Sequence, residues 1–539
     1  MHDETNAALL RALTGSRREP GTHMHVIGAS GSGKTKFLES LIRDLTYSEH
    51  GFAVFDWHGQ LYHDILNYLA YHWTEREIYL LDPAGGQFIT PYNPFVRPTT
   101  NVSGMAQRFV DAITKSWGAS NTNATPRLAR VANTAFQFAI ADQETLPNAS
   151  LLLSYQHREV LRYAKQIMSE PRFYGVMETL EEMEDKQTSK QWDDFVQSTN
   201  SRLARFLNDE LMRRFLAFKT GNISIRDIME RDAILLVNLS RTDAMPDQEP
   251  ARVFASLLLA DFFHAAMLRA GTEQRFVLFL DEFQHYVTAD SPAMLDEVRK
   301  GGLDLVLAHT RLSQLHFEGD TAMRDSVLGN ARIKVAFGLD DYTTASFMAR
   351  QILLEEINRD VVKDELRGMQ MIEQEVTWVE VKRQSSGRMS GKSESLRLYE
   401  AEETKSSSEG QSESFSESVS VGMVPIQRAV LEERVTSRQF YSLSEKESRQ
   451  AERLMKLPER TCIIRVKHDS PIEHQVREIK TYRYDESTRE EYEQNLFKSS
   501  GAVTPADADA ELQRSREAFL EKVRPSKKKP RTDAAPKNV

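Results

Sequence analysis

Residues 28–35 read Gly28-Ala29-Ser30-Gly31-Ser32-Gly33-Lys34-Thr35, and this octet decides the fold class. It is a complete G-x-x-x-x-G-K-[ST] phosphate-binding loop. Gly28, Gly31 and Gly33 permit left-handed and close-approach backbone, so successive N–H groups can face phosphate oxygens. Upstream, His23-Met24-His25-Val26-Ile27 reads as a short buried strand. Downstream, Phe37, Leu38, Leu41, Ile42 and Leu45 recur at helical spacing, which sets the loop at a helix N-terminus. The expected ligands are ATP and Mg²⁺. All eight loop residues cradle the phosphates, Lys34 reaches the β- and γ-phosphates as a point charge, and the Thr35 hydroxyl sits on the metal.

Working outward, short apolar runs recur at 52–55, 78–81, 234–239, 276–280, 303–307 and 333–337, with helical patterns such as 253–268 and 294–300 between them. That alternation predicts an α/β fold, a P-loop NTPase with a parallel-rich central sheet covered on both faces. The run Phe276-Val277-Leu278-Phe279-Leu280 ends in Asp281-Glu282, where doubly wound sheets hold ligands. Asp281 is the expected second Mg²⁺ group, and Glu282 the base for the attacking water. Charge developing on the γ-phosphate calls for an arginine from a neighbouring subunit. Arg299 is the leading choice, with Arg332 and Arg324 behind it.

The text between Thr99 and Asp227 is helical, with apolar stripes that include Phe109, Ile113, Trp117, Phe136, Phe138, Leu203, Phe206 and Phe215. These read as the core of an inserted all-helical domain rather than a base-stacking surface. The expected organisation is motor at 1–100, helical insertion at 101–226, motor again at 227–382, a disordered Ser/Glu-rich linker at 383–422, a small C-terminal module at 423–485, and a helical then basic disordered tail at 486–539. The linker is assigned from its composition, which buries too little apolar area to order itself.

Across 539 residues the formal charge is −10, so nucleic-acid contact would come from a local groove or pore rather than a globally positive surface. One cysteine, Cys462, excludes an internal disulfide and a cysteine-rich metal site, and it reads as a buried strand residue. The longest apolar helix pattern, 253–268, carries Asp261 and His264 and reads as a buried helix, so no transmembrane segment is expected. The N-terminus lacks a secretory pattern. The expected location is cytoplasmic, with any seat at the inner face of the membrane supplied by partners.

Several strings occur in order: Gly28 to Thr35, Asp56-Trp57-His58-Gly59, Leu81-Asp82-Pro83 with Tyr92-Asn93-Pro94-Phe95, Leu235 to Ser240, Leu280-Asp281-Glu282-Phe283, Arg299-Lys300-Gly301-Gly302-Leu303, Leu307-Ala308-His309 with Ser313-Gln314-Leu315, and Leu328-Gly329-Asn330-Ala331. Together they resemble the DNA-pumping ATPases of the HerA/FtsK superfamily, and within it the conjugative and type IV secretion coupling proteins of the TraG/TraD type. The resemblance covers roughly residues 20 to 350. It implies a RecA-like motor, a homo-hexameric ring around DNA held by sequence-nonspecific backbone contacts, hydrolysis at subunit interfaces with Arg299 acting in trans, and a relaxase or secretion-channel components as partners.

The chain departs from that family pattern in two places. Family members usually begin with membrane-spanning helices, whereas here the phosphate loop falls within the first thirty residues or so. Thr310 stands where the family usually has a glutamine that senses the γ-phosphate, which hands sensing to Thr310 or Gln314 or weakens it. Three functional readings stay open: a coupling-protein-like DNA translocase in conjugation, mobilisation or type IV secretion; a HerA-like motor in repair or antiviral defence with a partner nuclease; and a nucleotide-gated protein adaptor.

Overall fold

The computed structural model describes residues 4–15, 21–72, 74–83, 85–96, 101–116, 126–242, 248–269, 271–286, 295, 297–316, 321–359, 361–386, 417–482 and 486–524. It divides into residues 1–357 with 446–539, and a separate unit at 358–445.

The larger unit is built on nine strands: β1 (Met24–Ile27), β2 (Gly51–Asp56), β3 (Ile78–Leu81), β4 (Ile234–Asn238), β5 (Phe276–Leu280), β6 (Leu303–His309) and β7 (Ile333–Phe337), joined by β10 (Thr461–Val466) and β11 (Ile472–Gln475). Their order is β11-β10-β7-β1-β6-β5-β2-β4-β3. The seven strands from β7 to β3 are parallel, as their apolar runs predict. Side chains alternate between two cores. Phe52, Val54, Val277 and Phe279 enter the core shared with the helices Lys34–Thr46 and Gln60–Tyr71, while Ala53, Phe55, Leu278 and Leu280 enter the opposite one. All parallel strands therefore end at one edge, and β1 and β5 flank β6 there.

Between β3 and β4 every described regular element is helical, from Val102–Ser116 to Ile225–Glu230. Phe109, Phe136, Phe138, Leu203, Phe206 and Phe215 are buried, and their core is continuous with one face of the sheet. Trp117 lies outside the described residues. Gln248–Leu268 is the one helix among the described residues that is long and apolar enough to cross a membrane; 78% of its most apolar stretch is buried inside the fold, including Asp261.

The C-terminal third differs from the sequence expectation. The boundaries drawn at 382/383 and 422/423 cut through two long paired strands, β8 (Val362–Ser386) and β9 (Glu417–Phe440), which make up most of the smaller unit. A composition argument averages over the Ser and Glu residues and misses alternation such as Val419, Val421 and Met423. The rest of the proposed linker, 387–416, lies outside the described residues. Nor does 423–485 form a separate module. Cys462, Ile463 and Ile464 pair antiparallel with Phe337, Ala336 and Val335, so β10 extends the motor sheet and buries Cys462.

Residues 486–523 are likewise packed rather than a tail. Glu486–Ser499 lies against the Gln60–Tyr71 helix, and Pro505–Val523 lies on the helical insertion, with Phe519 against Phe138 and Asn148 Nδ2 donating to Ser515 Oγ at 2.9 Å. Of the basic run at 524–531 only Arg524 is described. Of the expected 294–300 helix, Leu295, Glu297 and Val298 are described and helical, and the stretch ends in a 3₁₀ turn at Arg299–Gly301.

Candidate nucleotide site

The loop leaves β1 at Ile27 and enters the helix at Lys34. Two glycines have direct physical reasons. A Cβ on Gly28 would lie 2.5 Å from Phe337 Cβ and 2.7 Å from Ser32 Oγ; Gly33 adopts φ 111°. Lys34 is buried, and its Nζ donates to the carbonyls of Gly28 at 2.7 Å and Ala29 at 3.1 Å. Burial lowers its pKa, while Glu282 and Asp281 oppose that shift. Thr35, half-buried, is the second residue of the helix. Ser30 and Gly31 are exposed at the loop's tip.

Asp281 and Glu282 follow β5 at the same edge. Asp281 is nearly fully buried, and its pKa is pushed up to about 7 by burial, then by the charges of Asp56 and Glu282. Asp56 ends β2 beside β5 and caps the next helix, accepting from the N–H groups of His58 at 2.9 Å and Tyr62 at 2.8 Å. Glu282 takes a left-handed backbone, φ 51° and ψ 47°, which turns the chain sharply out of the sheet. Its Oε2 accepts from Gln284 Nε2 at 2.5 Å and its Oε1 from the Thr310 hydroxyl at 3.2 Å.

Thr310 thus meets the carboxylate expected to act as base. Gln314 stands behind it as a turn cap, its Oε1 accepting from the N–H groups of Thr310 at 3.1 Å and Arg311 at 2.9 Å. His309 is fully buried, and its pKa is pushed down to about 3, chiefly by burial. Its Nδ1 lies 3.0 Å from the Arg311 carbonyl and therefore carries the proton, so its Nε2 accepts from His25 Nε2 at 2.6 Å. This neutral pair ties β1 to β6 beneath the loop.

Arg299 is not brought to this edge. It precedes β6, whose seven residues span roughly 20 Å before the carboxylate edge is reached, at about 3.3 Å per residue. The arginine that the fold does bring to the loop is Arg460. Just before β10, it holds φ 60°, donates its N–H to the Ser32 carbonyl at 2.9 Å, and places its Cα 2.9 Å from where a Gly33 Cβ would stand. Sequence reasoning passed over it because nothing local marks it; its role follows from β10 pairing antiparallel with β7, which starts β10 at the ligand edge.

The residues present fit a magnesium nucleotide. Lys34 turns back on its own loop, buried Ser32 Oγ has no hydrogen-bond partner among the described residues, and three acidic groups, Asp56, Asp281 and Glu282, crowd together. Among the described residues no three His, Cys, Asp or Glu are grouped so that they could hold a metal by themselves.

The sequence family described as the type IV secretion-system coupling protein DNA-binding domain matches residues 13–399. The chain belongs to that family. Solved structures similar to this coupling protein include the bacterial conjugative coupling protein TrwBdeltaN70 in an unbound form, with a TM-score of 0.50, 15% identity and 86% of each chain covered. The plasmid coupling protein TrwB with the non-hydrolysable GTP analogue GDPNP gives 0.50 and 15%, over 86% of this chain and 87% of that one. TrwB with ADP and Mg²⁺ gives 0.50 and 14% over the same shares. At such identities the likeness concerns the fold alone. No curated protein matches the chain.

Proposed function

We propose that this coupling protein is an ATP-driven DNA translocase that moves DNA, or a DNA–protein complex, in conjugation, mobilisation or type IV secretion. The observation carrying this reading is the convergence of Lys34, Asp281 and Glu282 at one sheet edge, close enough for both carboxylates to act on the lysine's charge. Thr35 and Asp281 would hold Mg²⁺, which supplies countercharge to the phosphates. Lys34 would leave its loop carbonyls to meet the β- and γ-phosphates, and the loop N–H groups would orient them. Glu282, fixed by Gln284 and Thr310, would orient the attacking water and take its proton. Thr310 then couples to the reaction through Glu282, and Gln314 positions Thr310.

Arg299, which lies away from its own site, would act from a neighbouring copy. A homo-hexameric ring supplies that neighbour, grips DNA phosphates without reading bases, and meets a relaxase or channel component at the inner face of the membrane. Steady-state ATPase activity with and without single- and double-stranded DNA tests the reading. Strong stimulation, with DNA affinity falling steeply as salt rises, is expected. DNA-independent turnover with salt-insensitive binding refutes it.

A further inference from the structure

The smaller unit is a hairpin of unusual length. Strand β8 runs over 25 residues and β9 over 24, roughly 80 Å at about 3.3 Å per residue. Among the described residues each strand has only the other as partner, so each leaves one full edge of N–H and C=O groups unpaired. Isolated two-stranded hairpins are marginal in water.

Its side chains sharpen the problem. Trp378 is 58% exposed, Met423 60%, Leu366 63% and Met369 69%. Register places Val376, Trp378, Val421 and Met423 on one face, and Val379, Val424 and Ile426 on the other. Apolar side chains are thus exposed along both faces of the hairpin, a grouping that marks an interaction surface rather than singly scattered surface residues.

We propose that this hairpin is an assembly arm that pairs edge to edge with the hairpin of a second copy, β8 of one chain along β9 of the next. Length argues for a copy: the longest strand described elsewhere, β6, has seven residues, and the only described edges that match the hairpin are its own. Charge agrees. Within the hairpin Glu365 faces Arg438 and Glu375 faces Arg428, and no paired position opposes two like charges. A second copy in the same register repeats that favourable pattern. Because β8 meets β9 rather than itself, the contact is heterologous and propagates from copy to copy, into a ring where the rotation between copies closes and an open filament where it does not. The inference is independent of ATP chemistry.

Cys462 is buried, so new surface thiols can be read without interference. Full-length Glu375→Cys chains are mixed under mild oxidation with chains carrying Ile426→Cys, Arg428→Cys or Val430→Cys, which share a face in neighbouring registers. A mixed disulfide dimer is expected for at least one pair, at tenfold or greater yield over a Tyr174→Cys control on the larger unit. Combined Trp378→Ser and Met423→Ser should cut that yield at least tenfold while nucleotide binding is unchanged. Yields no higher than the control overturn the proposal. So does Trp378-dependent flotation with lipid vesicles without cross-linking, which would make the face a membrane surface.

Discussion

Replacing Asp281 with Asn should stabilise the nucleotide-free protein at alkaline pH while removing its response to Mg²⁺. The carboxyl's pKa is raised from 3.8 to about 7 because it is buried beside Asp56 and Glu282. Between those values the folded chain holds more protons than the unfolded one, so stability falls as pH rises through that window and levels off above about 7. At about 1.4 kcal/mol per unit, three units cost about 4 kcal/mol at pH 8, and about 2–3 kcal/mol of that accrues between pH 5 and pH 8.

Asn at 281 keeps the shape and removes the charge, so this slope should vanish. For a chain this long the gain at pH 8 relative to pH 5 is about 2–3 °C in Tm, scaling from larger shifts in smaller domains. Below about pH 7 a proton should compete with Mg²⁺ for the wild-type carboxyl, weakening metal-dependent nucleotide binding about tenfold per pH unit. Thermal melts at pH 5 and 8, with and without Mg²⁺ and ADP, measure both effects. If the variant is destabilised equally at both pH values, crowding of negative charge at Asp281 is not what the site stores.

Glu282→Gln should retain ATP binding and lower kcat at least about a hundredfold, read by nucleotide binding beside single-turnover hydrolysis; turnover at the wild-type rate removes Glu282 as base. Arg299→Ala subunits mixed into wild-type assemblies should depress activity more than in proportion to their fraction, and strictly proportional loss excludes a trans role. Gly33→Ala forces a Cβ into φ 111° against the Arg460 backbone, at a cost of about 1–2 kcal/mol in backbone strain alone, and should abolish nucleotide binding in equilibrium titrations. Arg460→Gly suits the left-handed backbone and keeps the Ser32 clamp, so a raised KM for ATP with unchanged Tm would place the guanidinium on the nucleotide, whereas unchanged kinetics confine Arg460 to holding the loop.

The phosphate loop, the Asp281–Glu282 pair and the parallel strands were legible because each is a local pattern: glycines where backbone must turn or approach closely, apolar runs where a strand is buried on both faces, and acids at a strand's end. Resemblance to the coupling-protein family rested on the same strings, and the family match bears it out. Thr310 could be flagged from sequence, but its contact with Glu282 could not, since the two lie 28 positions apart and meet only because β5 and β6 are neighbours.

The C-terminal third was least legible, since its structure depends on partners far away in the chain. Ser- and Glu-rich text reads as a tether until β8 and β9 are seen to pair across the intervening residues. The apolar run at Cys462 reads as a separate module until it is seen hydrogen-bonded to β7. Local chemistry in the sequence therefore determined which residues are the candidates for a nucleotide site. Tertiary structure decided that Arg460 supports the loop, that Arg299 stands at the far edge of its own sheet, and that the last helices fold back onto the body, because strand order and long-range burial are set by which surfaces meet rather than by neighbours in sequence.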